Sequence, residues 1–225
     1  MVEQTAALDA LDAVYGQLTE TVTRLGAAEL MLPSRCAGWV AGDVLYHQLM
    51  DARRALRTFA SPDPGPADRD DVTYWQAYAP GGGDQAAGAA YARHVRIAAA
   101  AYAPDELIWE WTETAAAARR AARACRAAGV ATQGYVLTPA DFTATLVVEA
   151  AVHYLDLTVH LPAAPPPAPA ALALVRRVLD GLAGQPLPAS WDDVSCALKG
   201  TGRVPLDSAD RAELGALAGR LPAFV

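Results

Sequence analysis

Glu149 and His153 stand four residues apart in Leu146-Val147-Val148-Glu149-Ala150-Ala151-Val152-His153, a segment whose apolar content suits a buried helix. At that spacing both side chains leave one helix face a turn apart. A carboxylate and a neutral imidazole so placed can hold one divalent ion, and taking both from one helix reduces the entropy lost in assembling the site. Spacing alone does not decide the matter, because Glu-x-x-x-His also occurs on solvated helix faces. The setting adds weight: an unpaired carboxylate within so apolar a run is costly, so Glu149 needs a cation or a hydrogen-bond donor. His47, in Trp39-Val40-Ala41-Gly42-Asp43-Val44-Leu45-Tyr46-His47, interrupts another apolar stripe. It reads either as a third ligand or as a core histidine with its hydrogen bonds satisfied. Asp43, four residues earlier, would either orient the His47 ring, as acids behind ligating histidines do, or favour the helix N-terminus. Three protein ligands would leave a position open for water or substrate, the pattern of a catalytic zinc site.

The elements that must position these groups are largely helical. Leu8, Leu11, Val14, Tyr15, Leu18, Val22 and Leu25 form one apolar stripe and predict a helix over about 4–26. Pro33 and Gly38 break the pattern, and a second helix, with Val44, Leu45, Leu49, Met50 and Leu56, runs from Trp39 to about Thr58. Ser61–Asp71, rich in Pro, Asp and Gly, reads as a loop. Alanine-rich helices follow over about Asp84–Ala103 and Thr112–Ala128. Thr138-Pro139-Ala140-Asp141 is a helix start, with a threonine N-cap, proline at the first position and an acid in the first turn; that helix carries Glu149 and His153 to about His160. The proline-rich stretch Leu161–Pro169 is a semi-rigid linker and the best boundary in the chain. It divides residues 1–163, a metal-binding helical bundle, from 164–225, a small α+β segment completing the site. In that segment Ala170–Leu182 and Ser208–Leu221 read as helices and Val194–Leu198 as a short strand.

Charge and composition narrow the function classes. A net charge of −7 over 225 residues lacks the basic stripe that nucleic acid requires. No run of about 18 apolar residues spans a membrane, and the acidic N-terminal stretch does not resemble a signal peptide, so a cytoplasmic protein is expected. Cys36, Cys125 and Cys196 are too scattered for a disulfide framework or a cysteine zinc motif and read as small hydrophobes, with Cys36 the one near a proposed ligand. Lys199 is the sole lysine, an arginine and alanine bias consistent with a GC-rich, actinobacterial genome. Tyr74, Trp75, Tyr91 and His94 read as core side chains before pocket-lining ones, and His160 as a helix-end group.

Three pieces carry a resemblance: Ser34-Arg35-Cys36-Ala37-Gly38-Trp39 through Asp43 and His47; Val147–His153 with Asp156; and Lys199-Gly200-Thr201-Gly202-Arg203. In their order and separation the chain resembles the mycothiol-dependent maleylpyruvate isomerase family, within the DinB-like superfamily of metal-binding four-helix bundles. The resemblance implies a mainly α fold, a bundle with a long crossover and a small C-terminal α+β portion. It implies His47, Glu149 and His153 as the metal ligands, and mycothiol as a cosubstrate whose thiol the metal converts to a thiolate nucleophile. It also associates Arg203 with an anionic substrate, which a guanidinium suits, against the plainer reading of a turn or surface pair. Asp156 reads as a group behind His153 or a general base. Arg54, seven residues after His47, shares its helix face and is a further candidate for cofactor binding, although a surface ion pair is its commoner explanation.

The expected activity is therefore a thiol S-transferase adding a metal-bound thiolate to a small electrophile. The alternatives are a mycothiol-dependent cis-trans isomerase of a small unsaturated acid, a metal-dependent hydrolase that activates water, and a metal-binding protein without catalysis. Zinc is the expected ion, although nickel, iron or cobalt would accept the same donors.

Overall fold

The threonine, proline and aspartate at 138–141 start the central helix of the molecule. In the computed structural model, which describes residues 2–80 and 85–224, Thr138 Oγ1 accepts from the Asp141 backbone N–H at 3.1 Å and donates to the Asp141 carboxylate at 2.7 Å. In chain order the elements are α1 (Gln4–Val22), α2 (Ala27–Leu30), α3 (Ala41–Phe59), β1 (Pro62–Asp63), a 3₁₀ turn (Thr73–Tyr78), α4 (Gln85–Ala99), α5 (Pro104–Ala124), β2 (Gly129–Thr132), β3 (Tyr135–Leu137), α6 (Pro139–Leu157), α7 (Pro169–Ala183), α8 (Asp193–Gly200), α9 (Ser208–Leu214) and a closing 3₁₀ turn (Gly215–Arg220).

Helices α1, α3, α5 and α6 pack as a four-helix bundle. The α1 stripe is buried at Leu11, Val14, Tyr15, Leu18 and Val22, and Tyr15 packs on the fully buried Trp111 of α5, ring centroids 5.2 Å apart. Polar groups in this core find partners: Trp111 donates to Thr19 Oγ1 at 3.0 Å, and Thr21 and Tyr154 share a 3.0 Å hydrogen bond between α1 and α6. Helix α6 is buried on nearly every side, which explains why its sequence is an apolar run rather than a stripe.

The fold is mainly α, as expected, but its small sheet lies elsewhere than in the C-terminal segment. β1, β2 and β3 form an antiparallel sheet with Pro62 opposite Val130 and Thr132 opposite Tyr135. The two-residue turn Gln133-Gly134 has positive φ at both positions, 49° and 84°, the geometry of a tight hairpin. Val194–Leu198 is not a strand: Asp192 accepts from the Ser195 backbone N–H at 2.6 Å, caps α8, and commits these residues to a helix. Ser61–Asp71 is likewise not all loop, since β1 lies within it. The expected helix start at Asp84 lies outside the described residues. No helix among the described residues is long and apolar enough to cross a membrane.

After α6 the proline-rich linker runs back across α1, where Gln17 holds it from both sides of its amide: Nε2 donates to the Pro166 carbonyl at 2.7 Å and Oε1 accepts from the Ala168 N–H at 2.8 Å. Helix α7 then packs on α6 and α1, and α8 on α7 and α6. The contact is close at Gly200, where an added Cβ would lie 2.6 Å from Leu179 Cδ1. The chain end returns along this surface, the Ala223 N–H donating to the Gly200 carbonyl at 2.8 Å.

Candidate metal centre and cavity

Two helices and one loop bring the candidate groups together. Helix α3 supplies His47 and α6 supplies Glu149 and His153. His47 Nε2 lies 2.9 Å and His153 Nε2 3.5 Å from the same Glu149 oxygen, Oε1, and the two imidazole centroids are 4.6 Å apart. Each residue thus offers one donor atom within 4.8 Å of the others. The outer ring nitrogens are engaged: His47 Nδ1 with Tyr91 Oη at 3.0 Å and His153 Nδ1 with Asp156 Oδ2 at 2.9 Å. Both Nε2 atoms therefore face inward beside a carboxylate, a donor set and orientation that fit a divalent cation.

The loop is Pro33–Val40. Gly38 takes φ +77°, Ser34 N–H donates to the Trp39 carbonyl at 3.0 Å, and the Ser34 hydroxyl accepts from the Cys36 N–H at 3.1 Å. Arg35 N–H donates to the Asp156 carbonyl at 3.2 Å, which fastens the loop over the end of α6. Cys36 consequently sits with Sγ 3.3 Å from Asp156 Oδ2 and 3.7 Å from His153 Nδ1. Cys36, His153 and Asp156 are a second grouping of donors, but Arg203 already neutralises Asp156, so a cation there would face a guanidinium. Glu149, by contrast, opens on a cavity.

Asp156 is fully buried and is not among the residues lining that cavity. It accepts from His153, from Cys36, and from Arg203 through Nε at 3.2 Å and Nη2 at 3.1 Å. Burial opposes its charge, yet hydrogen bonding and attraction from His153, reinforced by Arg203, lower its pKa to about 2. The same carboxylate, outweighing burial and reinforced by Cys36 and Glu149, raises His153 well above the usual imidazole range in the metal-free chain. Glu149 is held well below the usual carboxylate range because the hydrogen bonds from His153 and His47 overcome the cost of its burial. The apolar setting of Glu149 is thus compensated by two imidazoles.

The cavity has a volume of about 1140 Å³ and is lined by His47, Glu149, His153 and Cys36 together with Arg54, Tyr74, Trp75, Gln133 and Phe224, among others. Helix α3, the 3₁₀ turn, the hairpin tip and the chain end all contribute to it. Gln133 joins the aromatic wall by accepting from Tyr74 Oη at 2.5 Å and donating to Tyr78 Oη at 3.2 Å; Phe224 stacks on Trp75 at 4.5 Å.

Several sequence expectations change at this site. Asp43 does not orient His47; it accepts from the Val40 N–H at 3.0 Å at the start of α3, and Tyr91 takes the place at His47. Tyr74, Trp75, Tyr91 and His94 all line the cavity; Tyr74 and Trp75 are buried in the core as expected, whereas Tyr91 and His94 are exposed rather than core side chains. His94 belongs to neither donor grouping among the described residues. Arg203 lines the cavity but spends its fork on Asp156 and donates to the Thr201 carbonyl at 3.2 Å. The ion pair of Arg54 with Asp51, at 3.2 Å, is not on the outer surface: each side chain is only 13% exposed, within the cavity. His160 is exposed. Sequence reasoning missed Asp51, Tyr78, Gln133 and Phe224; only the Gly134 turn between two β-rich triplets signalled the hairpin that delivers Gln133.

No curated protein and no solved structure matches the chain. A family model described as the mycothiol maleylpyruvate isomerase N-terminal domain matches residues 11–158, which include His47, Glu149, His153 and Asp156. Over well more than half of its length, then, the chain belongs to the mycothiol maleylpyruvate isomerase N-terminal domain family.

Proposed function

We propose that this chain is a mycothiol-dependent metalloenzyme that adds a thiolate to a small electrophilic substrate. The observation that carries the reading is the convergence of two inward-facing imidazole nitrogens and one carboxylate oxygen in the lining of a cavity of about 1140 Å³. That space suits a thiol cosubstrate and a small molecule side by side. The family, named for an isomerase that uses mycothiol, supports an isomerase-type enzyme and a thiol partner. His47, Glu149 and His153 would hold the ion, which we assign as zinc because two imidazoles and a carboxylate suit it; nickel, iron or cobalt could occupy the same donors. When bound, the ion supplies the positive charge that lets a thiol lose its proton near neutral pH.

The chain's own groups do the rest. Asp156 fixes the tautomer and direction of His153, Arg203 helps keep Asp156 charged, and Tyr91 plays the orienting part for His47. The aromatic wall excludes water from a thiolate that would otherwise be solvated. Addition followed by retention of sulfur is S-transfer; addition to a conjugated double bond, rotation and release of the thiol is isomerisation. We favour transfer as the minimal reaction, since it demands a single addition. Three free cysteines suit a reducing, cytoplasmic location.

Elemental analysis with a mycothiol titration of wild type and His153→Ala tests the proposal. Loss of both metal and thiol binding in the variant is expected. Thiol binding that ignores the metal would refute it, and thiol-free turnover taking oxygen from labelled water would identify a hydrolase. Sulfur in the product separates transferase from isomerase.

A further inference from the structure

Two exposed surfaces of opposite charge adjoin at the start of α5. The first is a groove of about 810 Å³ lined by the buried Leu30 and Leu107 and by the exposed Met31, Ile97, Arg93 and Arg96. The second is the outer face of α5, where Asp105, Glu106, Trp109 and Glu113 are all exposed, the tryptophan by 60%. Steps of four residues from Asp105 to Trp109 to Glu113 set the indole between two acids on one helix face. Of the four large apolar side chains exposed among the described residues, Tyr91 is engaged by His47 and the other three are divided between these two surfaces. The charges around them also lack partners: Glu110 is taken by Arg53 at 2.6 Å, whereas Arg93, Arg96, Asp105 and Glu113 form no ion pair among the described residues.

An indole rimmed by acids and an apolar groove rimmed by arginines complement each other in shape and in sign, and exposed apolar surface bounded by charge marks an association site. Tryptophan and arginine are also the side chains enriched at the energetic centres of such contacts. Because the chain carries a net charge of −7, two copies repel unless these oppositely charged patches are aligned, which favours one orientation over random collision. We propose that the protein associates with a second copy of itself, Trp109 of each copy seated in the groove of the other and its flanking acids facing Arg93 and Arg96 there. Pro104 and Leu107 line the groove, and Asp105 and Glu106 stand between them in the chain and face out, so the two surfaces are neighbours. A two-fold axis beside the first turns of α5 therefore satisfies both at once and closes the pair, whereas a head-to-tail contact would leave one of each open and propagate. Helix α4 gains most from the contact: among its described side chains only Val95 and Ala99 are buried, and the same helix carries Tyr91 to His47.

Sedimentation velocity of the full chain between about 1 and 200 μM tests the pairing. A reversible dimer is expected, weakened by salt because charge aligns it. Trp109→Ala should dissociate at least about tenfold more readily with an unchanged thermal transition, since the indole is exposed in the single chain. Arg93→Glu/Arg96→Glu and Asp105→Lys/Glu113→Lys should each stay monomeric alone, and an equimolar mixture of the two should recover a dimer, because each then meets a surface of opposite sign. Recovery in the mixture also shows that both variants are folded. A wild-type monomer over the whole range, growth past the dimer with concentration, a Trp109→Ala dimer of wild-type affinity, or reversed variants that fail to complement would overturn the proposal. So would a monomeric chain that takes up anilinonaphthalene sulfonate through Arg93 and Arg96, which would give the groove to an anionic amphiphile.

Discussion

Replacing Asp156 with asparagine removes one negative charge and almost no volume from the interior. In the metal-free chain His153 and Arg203, acting against burial, hold the Asp156 carboxyl at about 2, against about 3.8 for an unperturbed aspartate. At about 1.4 kcal/mol per unit, that difference places roughly 2 kcal/mol of folding free energy in the charged form. The sign follows from the depressed value: this stability is fully present above about pH 4 and is lost as pH falls through about 2. Asp156→Asn should therefore be less stable than wild type by roughly 2 kcal/mol at neutral pH, and the gap should close between about pH 4 and 2. Asparagine can still accept from His153 Nδ1 through its carbonyl, but it cannot match Arg203 in charge, so zinc affinity should fall about 10–100-fold. Urea denaturation across this pH range reads the first effect, and competition with a chromophoric chelator reads the second. A gap that persists undiminished to the acid end, or zinc affinity equal to wild type, would refute the role given to the carboxylate.

Two further outcomes are expected. Because His153 binds its proton unusually tightly in the metal-free chain, zinc uptake near neutral pH should release a proton, and affinity should decline with acidification from a higher pH than an ordinary imidazole would set. Calorimetric titration in buffers of different ionisation heats measures this release; a heat independent of buffer would contradict it. Thr138→Ala removes the N-cap of the helix that carries Glu149 and His153 and should cost about 1 kcal/mol in thermal or chemical denaturation, without changing metal stoichiometry.

The bundle was legible wherever one face of a helix is buried, because a stripe then marks both the element and its orientation. The start of α6 was legible to the residue, since threonine, proline and aspartate each act locally. The sheet was not: β1 is two residues long and takes its partner from across the α4–α5 crossover, so nothing in its own sequence distinguishes it from a loop. Val194–Leu198 misled because its apolar residues suit a strand locally, whereas the cap at Asp192 and packing on Leu179 decide for a helix. At the site, Glu149 and His153 were visible from spacing on one helix, and Arg203 from the family's tail pattern. Asp51 and Gln133 were not, and Tyr91 read first as core, because each reaches the cavity from a different element, and an aromatic or acidic residue in isolation carries no sign of which space it faces.

The ion pair between Asp156 and Arg203 has a consequence for where this molecule can be divided. The family match ends at residue 158, yet the guanidinium that helps His153 keep Asp156 charged arrives 45 residues later, by way of a linker clasped by Gln17. A chain cut at residue 163 would retain every proposed metal ligand but leave the buried Asp156 with His153 and Cys36 alone, without its guanidinium, and would uncover the face of α6 on which α7 packs. Recombinant fragments designed to the family boundary should therefore be judged on acid sensitivity and aggregation before their metal content is interpreted.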